Sequence, residues 1–555
     1  MRRIWAFVVA LLMLLTLSAC GGETTPGTQP SQQETEASVI CFRTYLSADP
    51  ISMDVSRISD IYSSELVENV MESLVRMSEV DGTYRLVAGD ALTWQSNMDG
   101  TVWTFYLGDN TWSDGQPVTA HDYVYSLRRS ADPATGCPND YYLLPVAGYQ
   151  EVRNGAPLEN LGVRALDDKT LEITLSYPVP SFLEMTCGTV YYPQRQDIVE
   201  SCGDLYGTEP EYTVFNGPYT VESWDHDDII TLAKREEYWN ADEVEIPQIQ
   251  VLILEDSEEA CALFDRGELD YISTSDVQWL DKLASRENTN HIRIHSASVN
   301  FIFFNTGDAL FRNVNIRKAF TMALNRQEMN ESIYGGSATP ASGWVTAAMT
   351  VGSVNYRDYA GDLIRTMYQN AQKESMTAGD YLLLGMKELE LGDDPSQLRI
   401  TFSLAGSDQR FRGIGEYIRK TYREALGVEL EIRYGDWAQF SDNLASGDYQ
   451  MGYMGWEAYY NDPADVLCLF LSTNDTLGTG WGNPKYDALV LEAQSEMDEA
   501  VRMELYYQAE EILLLEECAV CPVVFPSVNC FYQSHWKGYA TLAFSSGCYQ
   551  ELSLE

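Results

Sequence analysis

Histidine is scarce in this 555-residue chain, with five residues at positions 121, 226, 291, 295 and 535, which restricts any histidine-based triad or metal site. The Gly-x-Ser-x-Gly nucleophile elbow, the Gly-x4-Gly-Lys-Ser/Thr phosphate loop and the His-Glu-x-x-His zinc helix are all missing. Basic residues are few: 36 Lys and Arg stand against 83 Asp and Glu, a net charge of −47. Nucleic acid and anionic membrane surfaces are therefore poor partners. The acidity itself reads as a solvated, self-repelling surface and not as evidence for a cationic ligand. No long apolar run follows Leu17, so the body of the chain offers no second segment able to span a bilayer.

The N-terminus carries a positive signal. Arg2 and Arg3 precede an apolar run from Ile4 that ends in Leu17-Ser18-Ala19-Cys20, the pattern of a signal peptide over residues 1–19 with a lipoprotein-type cleavage site. Cys20 is then the expected lipid anchor. Residues 20–38 are the expected flexible tether, because Gly21 to Ala37 contain no aliphatic side chain larger than alanine. This predicts a protein held on the outer face of the cytoplasmic membrane, or in the periplasm if an outer membrane is present.

Ten further cysteines are too sparse for a disulfide-dense scaffold, and their pairing cannot be read from spacing. Cys187 and Cys202 are the nearest loop closure. Cys518-Ala-Val-Cys521 reads as a core strand with small residues, since no second Cys/His pair at zinc spacing accompanies it. Period-two alternation marks strands at Trp103, Phe105, Leu107, at Leu171, Ile173, Leu175, and at Val428, Leu430, Ile432, Tyr434. Ile249 to Leu254 is apolar on both faces, as a covered central strand would be. Helical spacing places Ile316, Ala319, Phe320 and Ala323 on one stripe, and Tyr486, Leu489, Val490 and Ala493 on another. Thr119 with Asp122 forms a capping-box start. His291 and His295 alternate like solvated strand residues, and Asp225, Asp227 and Asp228 around His226 read as a charged turn. The mixture is α/β, without internal repeats.

The most specific run is Trp103-Thr-Phe-Tyr-Leu-Gly-Asp-Asn-Thr-Trp112-Ser-Asp-Gly-Gln-Pro-Val-Thr-Ala-His-Asp122. Around it stand Met53-Asp54, Leu161-Gly-Val-Arg-Ala-Leu-Asp167, Asn216-Gly-Pro-Tyr219, Tyr238-Trp-Asn240, Arg266-Gly-Glu-Leu-Asp270, Val314-Asn-Ile-Arg317, and Gly455-Trp456 followed by Asn461-Asp-Pro463. In this order they resemble the extracellular solute-binding proteins of family 5, the peptide-binding lipoproteins of ABC importers. The resemblance implies a periplasmic-binding-protein-like (class II) clamshell of two lobes with an extra domain, closing on its ligand by hinge bending. Lobe one would comprise residues 39–72, 200–300 and 530–555, the extra domain 73–199 and lobe two 301–529.

It further implies an extended peptide gripped through its backbone, delivery to permease subunits, a monomer, no cofactor or metal, and no catalysis. Matched position by position, the backbone-pairing stretches fall at Ser59-Asp60-Ile61 and Gly455-Trp456-Glu457. Trp437 matches an aromatic wall, and Ser273 and Thr274 match polar ligand contacts.

The chain also departs from the pattern. Oligopeptide-binding members hold the ligand's α-ammonium with an aspartate whose match here is Tyr459. Glu457 and Tyr459 would share a strand face, so Glu457 is the expected counter-charge, with Asp462 second. Cysteines that some relatives carry at the matches of Ser298 and Glu457 are both absent. Phe303 replaces another family carboxylate, which predicts a less polar pocket. The alternative within the architecture is a non-peptide solute, such as a nickel chelate, an opine or an oligosaccharide, because fold does not dictate ligand. A tethered hydrolase would need a nucleophile or metal set that the residues do not present.

Overall fold

The computed structural model describes residues 40–555 except 81–82, 436, 475–476, 540–542 and 545–546, and leaves aside the side chains of residues 79, 80, 83, 84, 277 and 438. The expected signal peptide, tether and Cys20 lie outside the described residues. No described helix is long and apolar enough to cross a membrane.

The first sheet is ordered Cys41–Leu46, Gln248–Ile253, Ile229–Lys234, Tyr219–Asp225. Its outer pair is parallel and the others are antiparallel. The apolar run from Ile249 is thus an inner strand, but its faces are unequal. Ile249, Val251 and Ile253 enter the large core, while Leu252 meets a small cluster around Ala260 and Phe264 of helix Ser257–Arg266. A three-stranded sheet, Tyr271–Thr274, Ser527–Gln533, Thr289–His295, adjoins it. On that sheet His291 and His295 are both exposed, and the His291 ring stacks on Phe531 at 4.4 Å.

The extra domain is built on an antiparallel sheet, Ala91–Ser96, Val102–Leu107, Thr170–Thr174, Val163–Asp167. Trp103, Phe105, Leu107, Leu171 and Ile173 alternate into its core. Helix Ala120–Ala131 packs on it, started by the box in which the Thr119 amide and hydroxyl donate to Asp122 Oδ2 at 2.8 and 3.0 Å. The apolar residues of this domain and of the first sheet merge into one continuous core.

Two sequence landmarks acquire physical reasons at that junction. Arg129 donates to both carboxylate oxygens of buried Asp54, at 2.6 and 2.7 Å, which ties the Met53-Asp54 segment to the helix. Gly217 has no room for a side chain, since a Cβ there would lie 2.5 Å from the Val70 carbonyl carbon.

Lobe two carries a six-stranded sheet, ordered Thr339–Pro340, Val520–Phe525, Ser298–Phe304, Met451–Glu457, Ile400–Leu404, Leu430–Tyr434. Ser298–Phe304 is apolar because both faces are covered: Val299, Phe301 and Phe303 enter one core, Ile302 and Phe304 the other. Helix Val314–Ala323 buries Ile316, Ala319 and Phe320, and helix Pro484–Ser495 buries Tyr486, Val490 and Ala493. Leu430–Tyr434 is an edge strand, so Leu430 is buried while Ile432 and Tyr434 are only partly covered.

The chain passes between the lobes at two neighbouring places. Thr289–His295 of the three-stranded sheet leads through Ser296 and Ala297 into Ser298–Phe304, and Val520–Phe525 leads through Pro526 into Ser527–Gln533. None of the ten cysteines among the described residues is in a disulfide, Cys187 and Cys202 included, and the thiols of Cys518 and Cys521 are wholly buried.

Candidate functional site

A cavity of about 740 Å³ opens between the lobes and the extra domain. That is within the ordinary size of a ligand pocket, roughly 300–1,000 Å³. Lobe one contributes Ser59, Asp60, Ile61 and helix Ile61–Val70; the extra domain contributes Tyr141, Tyr142 and Glu184; lobe two contributes Trp437 and the run from Met454 to Asn461.

The strand Met451–Glu457 provides the site's main backbone feature. Along one edge it pairs with Ser298–Phe304 over its whole length, but its other neighbour, Ile400–Leu404, reaches only Met451, Gly452 and Tyr453. Among the described residues, Met454 to Glu457 therefore keep one hydrogen-bonding edge without a strand partner, at the cavity wall. Such an edge is a template for an added strand. At Gly455 a Cβ would lie 2.6 Å from Asn300 Oδ1, so a side chain there would have to displace the Asn300 amide. Across the cavity Asp60 has an extended backbone, and its carboxylate accepts from the Ser63 amide and hydroxyl at 2.8 and 2.7 Å, capping the helix that Ile61 begins.

Glu457 has no hydrogen-bond or ion-pair partner among the described residues. Its side chain is exposed to the cavity, yet the concave surroundings remove enough water to raise its pKa. Ser298 is its direct register partner across the sheet. Tyr459 stands just beyond the strand, half exposed, with its amide donating to Asp465 Oδ2 at 2.8 Å. Its ring lies 5.5 Å from Tyr141, 6.2 Å from Tyr142 and 6.1 Å from Trp456. Trp437 is 60% exposed on the same cavity.

Four expectations need correction. Asp462 does not face the cavity: Oδ1 accepts from Tyr506 at 2.7 Å and from the Ala464 amide at 2.8 Å, and Arg502 lies 3.8 Å from Oδ2. Its carboxylate builds the Asn461-Asp-Pro463 turn. Ser273 and Thr274 do not line the cavity either. The Ser273 carbonyl accepts from the Tyr45 hydroxyl at 3.0 Å, and Thr274 Oγ1 accepts from the Asp276 amide at 3.2 Å. Phe303 makes no pocket less polar, because it is fully buried in the lobe-two core against Phe440 and Tyr449.

Sequence reasoning missed Tyr141, Tyr142, Glu65 and Glu184. Burial raises Glu65 to about 8 against the stabilising hydrogen bond from Tyr549, and raises Glu184 to about 7. Arg76, on the same wall, lies 3.5 Å from Glu72 and donates to Gln550 at 2.6 Å. No local pattern marks these residues; only their convergence does.

The model of the bacterial extracellular solute-binding proteins, family 5 (middle region), matches residues 85–478. The oligopeptide-binding protein OppA of Bacillus subtilis (strain 168) is 30% identical over 550 residues, 97% of each chain. The crystal structure of an oligopeptide ABC transporter substrate-binding domain from Bacillus anthracis str. Ames is similar with a TM-score of 0.71 at 26% identity, covering 93% of this chain and 99% of that one. Listeria monocytogenes OppA bound to peptide gives a TM-score of 0.70 at 25% identity, with 93% and 99% covered.

Proposed function

Because this chain belongs to the bacterial extracellular solute-binding proteins of family 5, we propose that it captures peptides outside the cytoplasm and delivers them to an ABC importer. The observation that carries this reading is the one-sided strand edge from Met454 to Glu457 at the cavity wall. An extended peptide adds to that edge through its backbone, so affinity comes from main-chain groups common to all peptides.

The roles follow from position. Gly455, Trp456 and Glu457 present the pairing edge, and the extended Asp60 with Ile61 closes the opposite side. Trp437 and Tyr459 cover the ligand with rings. Glu457 receives the peptide α-ammonium, since a carboxylate without a partner gains most from a charged donor. The lobes are 39–72, 200–295 and 527–555 against 298–525, with 73–199 as the extra domain; the expected limits at 300/301 and 529/530 shift because strand Ser298–Phe304 pairs within lobe two and strand Ser527–Gln533 within lobe one, and the lobes close about the crossings at Ser296 and Pro526. The protein works as a monomer tethered through Cys20 and performs no chemistry on its cargo.

Mass spectrometry of ligand released by denaturing the purified protein tests the reading. Peptides of mixed sequence are expected; recovery of a metal complex, opine or oligosaccharide in their place would overturn it.

A further inference from the structure

The chain's overall acidity says little about its ligand, but the charges inside the cavity can be followed residue by residue. Among the lining acids, Asp60 is committed to its helix cap and Glu65 to Tyr549. The lining cation Arg76 lies against Glu72. Glu68, which also lines the cavity, is engaged as well, which leaves Glu457 on lobe two and Glu184 on the extra domain. Among the described residues the Glu184 carboxylate accepts a hydrogen bond only from its own backbone amide. Of the charged groups facing it, Asp462 and Glu499 repel it, and Arg502, the cation nearby, is held beside Asp462 with a further bond to the Glu496 carbonyl at 3.1 Å. The cavity thus carries two uncommitted carboxylates on different walls, where low dielectric makes an unpaired charge costlier than on an open surface.

One of these carboxylates serves a peptide's amino terminus if Glu457 acts as read above. The second has no backbone charge to answer, because an extended peptide's remaining charge is its negative carboxyl end. We propose that Glu184 determines specificity, pairing with the ammonium or guanidinium of a lysine or arginine side chain, so that the site selects basic peptides. This rests on the peptide reading of the cavity. Met185 and Tyr192, which line the same cavity, offer apolar surface to the methylene stem of such a side chain. The pairing joins the extra domain to the ligand, so cargo charge contributes to holding the closed form.

Titration calorimetry of the purified protein tests the assignment, using alanine peptides of two to five residues with lysine or norleucine scanned through each position. Lysine at one position should tighten binding by about tenfold or more, and norleucine should not. The increment should vanish in Glu184→Gln and shrink with added salt. A lysine scan no better than norleucine, or an increment that survives Glu184→Gln, would overturn the assignment while leaving peptide binding intact. Should Glu184→Gln fail to fold, a lysine increment in the unmodified protein that ignores salt would do the same. Failure of every peptide, the alanine parents included, would instead remove the peptide reading and this one with it.

Discussion

Ser296 donates both its backbone amide and its hydroxyl to the carbonyl of Pro526, each at 3.1 Å. The two residues are the points at which the chain leaves one lobe's sheet for the other's, so this pair stitches the two crossings together beside the cavity that Ser296 lines. A hinge needs few residues to absorb rotation, and in the proposed closure the coupled crossings turn as one.

Ser296→Ala keeps the amide bond and deletes the hydroxyl bond. Unfolding in urea should show a loss of about 1 kcal/mol, and small-angle scattering should show a wider spread of ligand-free dimensions. An unchanged midpoint and unchanged scattering would mean that the hydroxyl contributes nothing to the crossing.

Gly455→Ala puts a methyl group against Asn300 Oδ1, at 2.6 Å in the unrelaxed structure, and disturbs the strand that carries the free edge. Peptide affinity should fall by about tenfold or more, because backbone pairing to the edge is the common source of binding. Calorimetry with a peptide of any sequence checks it, and equal affinity in a folded variant counts against the edge as the docking strand.

Glu457→Gln and Asp462→Asn separate a ligand contact from a structural turn. The first should weaken free peptides by about tenfold and leave N-acetylated peptides unchanged, with little effect on melting. The second should lower the melting temperature, because Arg502 and Tyr506 lose a buried anion, and should shift both peptide classes in parallel. Unchanged affinity of Glu457→Gln for the free amine would remove Glu457 as the counter-charge.

The ligand-free protein should show a pH signature from its cavity acids. Burial raises Glu65 from 4.5 to about 8 and Glu184 from 4.5 to about 7, so the folded state holds protons that the unfolded chain releases near 4.5. Their stabilising contribution is complete below about 4.5 and is lost as pH rises toward 7 and 8. Melting curves of Glu184→Gln and the unmodified protein should therefore converge in acid and separate above neutrality, with the variant the more stable. A constant gap across this range would show that Glu184 titrates normally.

Features set by neighbours in sequence were legible in advance. The Thr119–Asp122 cap, the inward alternation of Trp103, Phe105 and Leu107, and the apolar stripe at Ile316, Ala319 and Phe320 all follow from local hydrogen bonding and from the period of a strand or helix. The ordered landmarks placed the chain in its family for a related reason, since Asp54 and Gly217 answer to packing that any member must reproduce.

Asp462 and Phe303 mark where this reading stopped. Asp462 sits in sequence beside the cavity residues, yet its turn aims the carboxylate inward at Tyr506 and Arg502. Phe303 matched a pocket position, but its strand is covered on both faces and the ring belongs to a core. In the same way Tyr141, Glu184 and Tyr459 come from separate stretches and acquire meaning only where three walls meet.

The sequence by itself determined the family, the α/β elements and their caps, because these depend on contacts within a few residues or on packing constraints repeated throughout the family. Only the tertiary structure decided which carboxylates remain free to meet a ligand. Whether an acid is committed or available depends on partners far along the chain: Tyr506 and Arg502 engage Asp462, Tyr549 engages Glu65, and no such partner among the described residues reaches Glu457.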